Sequence, residues 1–180
     1  MSTKTTLMTE EEFAQMKTAD TERYELVEGE LVPLATGLPI HSIVRDNLGF
    51  VLHGYFRNSP IGVAIGEMDC RILPGTIRCP DVAVLIGEKA VLFDRRKYPI
   101  PFAPDIAVEV LSPSESAMDV NVKINEYLRG GCQEVWVIDH VSEEMFVHTG
   151  SKSVRLVLGD GAIESPLLPG FSARLGDLFL

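Results

Sequence analysis

Residues 104–114 read "PDIAVEVLSPS". The residues Ile106-Ala107-Val108 and Val110-Leu111 have the continuous apolar character of a strand covered on both faces, and Ser112-Pro113 ends the run. Glu109 sits inside it. A carboxylate in dry surroundings costs several kcal/mol, roughly the range for buried ions, unless it is paired, protonated or bound to a metal. Glu109 therefore points to chemistry rather than packing. The competing placement is an outward-facing position on an edge strand.

Upstream, "TIRCPDVAVLI" (76–86) is a second apolar strand carrying an acid, Asp81, at the start of its most apolar part. Asp81 begins a strand and Glu109 lies near the end of one, so antiparallel pairing brings the two ends together. Converging carboxylates repel each other unless a proton or a divalent cation offsets the repulsion. A hard cation such as Mg²⁺ takes one or two carboxylates, keeps several waters and leaves room for a substrate phosphate. An Asp at a strand start also serves as a local hydrogen-bonding residue, and that reading stands beside the first.

Downstream, "SPSESAMDVNVKINEYLRGG" (112–131) reads as a helix. Ser112 or Ser114 suits the cap, Pro113 the first turn, and Gly130-Gly131 the stop. Its apolar side is Ala117, Val120, Ile124, Tyr127 and Leu128. Lys123 falls about 40° outside Tyr127 at ~100° per residue, on the border of the buried face. From there a lysine reaches inward along its apolar stem. Asp119, one turn earlier, is the alternative partner for that ammonium.

The remaining segments supply a frame. Residues 9–17 form a short helix with a Thr9–Glu12 capping box. "RYELVEGELVPL" (23–34) is a hairpin turning at Glu28-Gly29, and 41–58 is an amphipathic helix. Residues 62–73 and 76–86 read as two strands, 134–140 and 144–150 as two more, and the tail as short strands and loops. Trp136, in an apolar strand, reads as core. The order predicts an α/β sandwich around a mixed sheet, with an N-terminal helical segment (1–22) preceding a single domain (23–180).

Bulk properties exclude several classes. The chain has 180 residues, 46% apolar and 23% charged, a balance typical of a soluble globular domain. It holds no apolar run of the roughly 20 residues that cross a bilayer and no secretory leader at its start. Cys70, Cys79 and Cys132 lack metal-ligand spacing and do not form a disulfide framework. These features predict a reduced, cytoplasmic protein. The net charge of −10 argues against broad, nonspecific nucleic-acid binding, so any such contact needs a local basic patch or a bound metal.

Taken in order, "RYELVEGELV", His41, "RCPDVAVL", "PDIAVEVLSPS" and the series Asp119, Lys123, Tyr127, Gly130-Gly131, "EVWVID" resemble the Uma-type restriction endonuclease family of the PD-(D/E)XK nuclease superfamily. The resemblance runs from about Tyr24 to Asp139, and the tail "SPLLPGFSARLGDLF" is similar to the family's ending. It implies a restriction-endonuclease-like αβββαβ core with a mixed central sheet flanked by helices. It also implies hydrolysis of DNA phosphodiester bonds with Mg²⁺ or Mn²⁺. Asp81 and Glu109 take the positions of the metal-binding acids, with the Val110 carbonyl as a further ligand. The superfamily's lysine belongs two residues after the acid, where this chain has Leu111. Lys123 matches the family's migrated lysine on the following helix. His41 matches the family's histidine, for contact with phosphate or proton relay, although a local hydrogen bond at a helix start suits it equally. An additional catalytic acid is expected from the hairpin, with Glu30 or Glu25 as the candidates and Glu28 nearby.

Arg71, Arg78 and the loop run Arg95-Arg96-Lys97 are candidate phosphate contacts. A homodimer in which each subunit cuts one strand fits this class, and the apolar "LGDLFL" end suits either its interface or the monomer core. The competing function is a nuclease-fold chain without catalysis that binds nucleic acid or protein. Loss of cleavage on substituting Asp81, Glu109 or Lys123 separates the two.

Overall fold

A computed structural model describes residues 7–17, 23–34, 37–113, 115–150 and 152–180. The elements begin with α1 (Glu10–Lys17), the hairpin β1 (Tyr24–Val27) and β2 (Glu30–Pro33), and α2 (Pro39–Asn58). Four strands follow, β3 (Gly62–Gly66), β4 (Cys70–Leu73), β5 (Thr76–Arg78) and β6 (Val82–Ile86), then the short helix α3 (Glu88–Leu92). The second half holds β7 (Ile106–Val110), α4 (Ala117–Arg129), β8 (Glu134–Asp139), β9 (Glu144–Thr149) and β10 (Val154–Leu158). The chain closes with β11 (Ala162–Ile163), β12 (Ala173–Arg174) and a 3-10 turn over Leu175–Phe179.

Six strands make a mixed sheet in the order β10-β9-β8-β7-β6-β3, with β7 and β8 parallel and their neighbours antiparallel. A parallel pair needs a long crossover, and α4 supplies it. A smaller antiparallel sheet, β2-β1-β5-β4, stands beside the first. The runs 62–73 and 76–86, expected as single strands, each divide between the two sheets. The first breaks at Glu67, whose φ of +44° turns the chain out of β3. The second breaks at Pro80, which has no N–H to give a ladder.

Alternation along β7 decides what the site is made of. Ile106, Val108 and Val110 pack into one core with Val44, Leu48 and Leu52 of α2. Ala107 packs into the opposite core with Ile124 and Tyr127 of α4. Glu109 shares the face of Ala107 by the period of two, so it points at α4.

α1 carries the expected capping box, with Thr9 N–H donating to Glu12 at 2.8 Å and Glu12 N–H to Thr9 Oγ1 at 3.2 Å. Its Phe13 is buried against Leu26 and Ile77. The helix expected over 112–131 starts later, at Ala117, because Ser116 rather than Ser112 makes the capping box, with Asp119 as its partner. Pro113 stands outside it, and Ser114 lies outside the described residues. Gly131, at φ +99°, adopts the left-handed conformation that ends the helix.

Trp136 is fully buried and donates from Nε1 to Glu134 at 2.8 Å, as core rather than as a stacking platform. Leu175 and Leu178 are buried in the monomer core beside α2, which resolves the open placement of the C-terminal apolar stretch. Cys70, Cys79 and Cys132 are buried and outside any disulfide. Among the described residues no helix is long and apolar enough to cross a membrane.

Candidate active site

Antiparallel pairing sets Val82 opposite Val108, so the start of β6 and the end of β7 meet. Asp81 is fixed there by accepting the Val110 N–H on Oδ2 at 2.7 Å. That oxygen also lies 3.2 Å from His41 Nε2. The Asp81 bond raises the His41 pKa, with burial and Arg45 working against it. His41 stands in the first turn of α2, behind Pro39 rather than at the helix's first residue. Gly37 leaves room for its ring, since a Cβ there would lie 2.9 Å from the His41 Cγ.

Glu109 is held from α4. Lys123 Nζ donates to Oε2 at 3.1 Å and Tyr127 OH donates to Oε1 at 2.6 Å. Burial pushes the Glu109 pKa up to about 7. The Lys123 charge opposes that rise, Asp81 and Glu25 add to it, and the Tyr127 hydrogen bond favours the ionised form. On Lys123, burial disfavours the ammonium, but Glu109, Glu25 and Glu115 outweigh it and hold the group charged well above its ordinary range. Glu115 accepts from Lys123 at 2.8 Å, and its other oxygen accepts the Ser112 N–H at 3.1 Å. Lys123 therefore bridges two carboxylates, whereas its expected alternative partner, Asp119, belongs to the helix cap.

Asp81, Glu109, Val110, His41 and Lys123 line one cleft of about 560 Å³. The structure does not bring Glu30 to it. Glu30 is exposed on edge strand β2, opposite Val27. Glu28 occupies the turn at φ +50°. Glu25 is the buried acid of the hairpin, but it accepts from Arg78 Nη1 at 2.7 Å and from Cys79 N–H at 2.9 Å. Arg78 is buried and bonded to Glu126 as well, and Arg71 pairs with Glu10, so neither faces the cleft as a phosphate contact.

Sequence reasoning missed Glu115, Arg23, Arg45 and Glu67, which also line the cleft. Arg45 had a readable signal, standing one helical turn after His41. Glu115 has none, because the sequence places it within a helix that in the structure begins two residues later.

As donors, two carboxylates and a backbone carbonyl are hard oxygen ligands, which suit Mg²⁺ or Mn²⁺ with water in the remaining positions. Among the described residues, no three His, Cys, Asp or Glu side chains form a cage on their own. The donor set thus fits an ion that shares its coordination with water and substrate, not an enclosed structural metal.

A mixed sheet flanked by helices, with Asp81 and Glu109 at adjoining strand ends and Lys123 reaching in from α4, has the restriction-endonuclease-like class of fold. The family described as "Uma2: Putative restriction endonuclease" matches residues 10–176, and the chain belongs to that family. Two relatives come from Synechocystis sp. (strain ATCC 27184 / PCC 6803 / Kazusa). "Uncharacterized protein slr1290" is 25% identical over 118 residues, 65% of this chain and 60% of that protein. "Uncharacterized protein sll1609" is 27% identical over 124 residues, 68% of this chain and 69% of that protein. The fold is shared with a crystal structure of "a putative nuclease belonging to DUF820" from Anabaena variabilis ATCC 29413. That likeness has a TM-score of 0.82 and 24% identity, covering 96% of this chain and 97% of the other.

Proposed function

We propose that this protein is a divalent-metal-dependent endonuclease that hydrolyses DNA phosphodiester bonds. The observation that carries the reading is the meeting of Asp81 and Glu109 at the open end of β6 and β7, with Lys123 bonded to Glu109. Asp81, Glu109 and the Val110 carbonyl would hold Mg²⁺ or Mn²⁺, which when bound lowers the pKa of water and polarises a phosphate. Lys123 brings a permanent positive charge to the place where negative charge grows on the phosphate oxygens. Tyr127 and Lys123 together fix the Glu109 carboxylate. His41 orients Asp81 and, when protonated, offers a proton donor at the cleft.

The reading includes cytoplasmic action and a homodimer. The aliphatic row Val154, Leu156 and Leu158, exposed on edge strand β10, supports an assembly, since such an edge is normally covered. Light scattering of the purified protein checks the dimer.

The direct test is plasmid nicking by purified protein with Mg²⁺, Mn²⁺ or EDTA. Cleavage should need the divalent ion and fall by at least about a hundredfold in Asp81→Asn, Glu109→Gln and Lys123→Met, the scale of lost electrostatic stabilisation. Cleavage retained by all three folded variants overturns the proposal. Nucleic-acid binding without cleavage under any ion supports the non-catalytic reading instead.

A further inference from the structure

The chain carries 16 basic against 26 acidic residues, yet its cleft gathers Arg23, Arg45 and Lys123 with His41. Lys123 is occupied between Glu109 and Glu115. The other two cations meet at one acid: Nη1 of Arg23 and Nη1 of Arg45 each lie 2.7 Å from the same Oε1 of Glu67. Arg45 also pairs with its exposed neighbour Asp46, and Arg23 points its second amino group at Cys79 Sγ, 3.7 Å away. The two guanidiniums are thus neutralised by two acids, Glu67 and Asp46, at the rim of the cleft rather than inside it, where a competing anion can reach them.

This rim is joined directly to the acid pair. The Glu67 N–H donates to the Asp81 carbonyl at 3.0 Å. Arg45 lies one helical turn after His41, which touches Asp81. An anion seated on the two arginines is therefore one cross-strand hydrogen bond and one helical turn from the site that would hold the reacting phosphate. The backbone does not explain Glu67, because φ of +44° is a conformation that glycine or asparagine adopts more easily. Its side chain does have a rationale, as an oxygen acceptor held where guanidiniums would otherwise face each other. Ion pairs at this degree of exposure, 49% for Arg23 and 34% for Glu67, are weakly held in water. A phosphodiester offers the same guanidiniums bidentate, charge-assisted bonds.

We propose that Arg23 and Arg45 form a phosphate-binding rim for the DNA backbone flanking the scissile bond. Glu67 is an internal stand-in anion that the backbone displaces on binding. The inference rests on the nuclease reading and deepens it by assigning backbone recognition to residues outside the acid–lysine centre. Glu67 also raises the threshold for binding, so an isolated small anion is rejected while a polyanion engages both arginines.

The test is fluorescence anisotropy of a labelled DNA duplex across a KCl series, with EDTA present to prevent cleavage. Arg23→Ala and Arg45→Ala should each weaken binding about tenfold and reduce the slope of log K against log [salt] by about one. Arg45→Lys should keep the slope while binding less tightly. Glu67→Gln should bind severalfold more tightly than wild type, roughly the effect of removing a competing like charge. A role in folding alone predicts the opposite for Glu67→Gln, namely lower stability with no gain in affinity.

Wild-type slopes in both arginine variants, or no tightening in folded Glu67→Gln, overturn the rim while leaving the nuclease reading intact. Failure of wild-type protein to bind the duplex at any salt also overturns the rim, whereas the nuclease reading stands or falls with metal-dependent plasmid nicking. Circular dichroism confirms folding, and should Arg45→Ala unfold, the half-exposed Arg23→Ala and the isosteric Glu67→Gln decide the question.

Discussion

Lys123 Nζ lies 3.1 Å from Glu109 Oε2, although the two residues stand fourteen positions apart on different elements. The contact follows from two periodicities. The pleat of β7 points Glu109 at α4, and the border position of Lys123 on α4 points it back. Leu111, two residues after the acid, lies just beyond the end of the strand and packs beside the α4-side core. A lysine reaching from the helix thus brings an ammonium to the acid from a different backbone position.

Removing one partner of this pair leaves a buried charge uncompensated. Lys123→Met should destabilise the protein by about 3 kcal/mol at pH 8, whereas the double variant Glu109→Gln/Lys123→Met should recover most of that loss. Urea denaturation measures both. Cleavage should be absent in the single and the double variant alike, which separates the role in stability from the role in chemistry.

The raised pKa of Glu109, about 7 against an ordinary 4.5, has a defined sign in stability. Between those two values the folded chain keeps a proton that the unfolded chain has released. The stabilisation is therefore complete below about pH 4.5 and lost as pH rises through about 7. The shift corresponds to roughly 3 kcal/mol, at about 1.4 kcal/mol for each tenfold change in proton affinity. Denaturation at a series of pH values without divalent ions should show this decline in wild type and a flatter profile in Glu109→Gln. Binding of Mn²⁺ needs the ionised carboxylate and should strengthen across the same window.

Tyr127 tests the other oxygen of the same acid. Its hydroxyl is fully buried and donates to Oε1 at 2.6 Å, a bond that favours the charged carboxylate. Tyr127→Phe should cost about 1–3 kcal/mol by leaving a buried acceptor short of a partner. It should also move the acid limb of the cleavage profile to higher pH, because the Glu109 pKa rises further. A loss of stability with an unmoved pH profile would assign Tyr127 to packing alone.

Much of this site is legible in the chain because its logic is local. The apolar runs on either side of Glu109 announce a covered strand, Pro80-Asp81 announces a strand start, and the helical wheel puts Lys123 at a boundary. What escapes reading depends on where the chain changes sheet. The turn from β3 to β4 puts its positive φ on Glu67 rather than on the neighbouring Gly66, so 62–73 reads as one strand and the arginines meeting at Glu67 are invisible. Glu30 and Glu25 lie on paired strands of one hairpin, and their fates separate only when β5 covers β1 and leaves β2 at the edge. Ser116 takes the cap because its Oγ accepts the Asp119 N–H at 3.2 Å while the Asp119 carboxylate reaches back to Ser116.

Arg78 supports the site from behind, and its loss should be among the most damaging single changes. Its Nε donates to Glu126 and its Nη1 to Glu25, both at 2.7 Å, within a buried cluster. Burial disfavours the guanidinium, yet Glu25 and Glu126 outweigh that and raise its pKa, so it stays charged. Arg78→Met would leave two buried carboxylates without a cation, a loss of about 3–5 kcal/mol. Arg78→Lys should rescue little, since one ammonium cannot reproduce a fork that reaches both acids. The damage should also reach Glu109, whose pKa the Glu25 charge already raises. With Arg78 gone that charge is less compensated, and Glu109 should take up its proton at higher pH. Denaturation of Arg78→Met and Arg78→Lys measures the first effect. The pH dependence of Mn²⁺ binding by whichever variant stays folded measures the second, and an unchanged midpoint would confine Arg78 to holding the hairpin against α4.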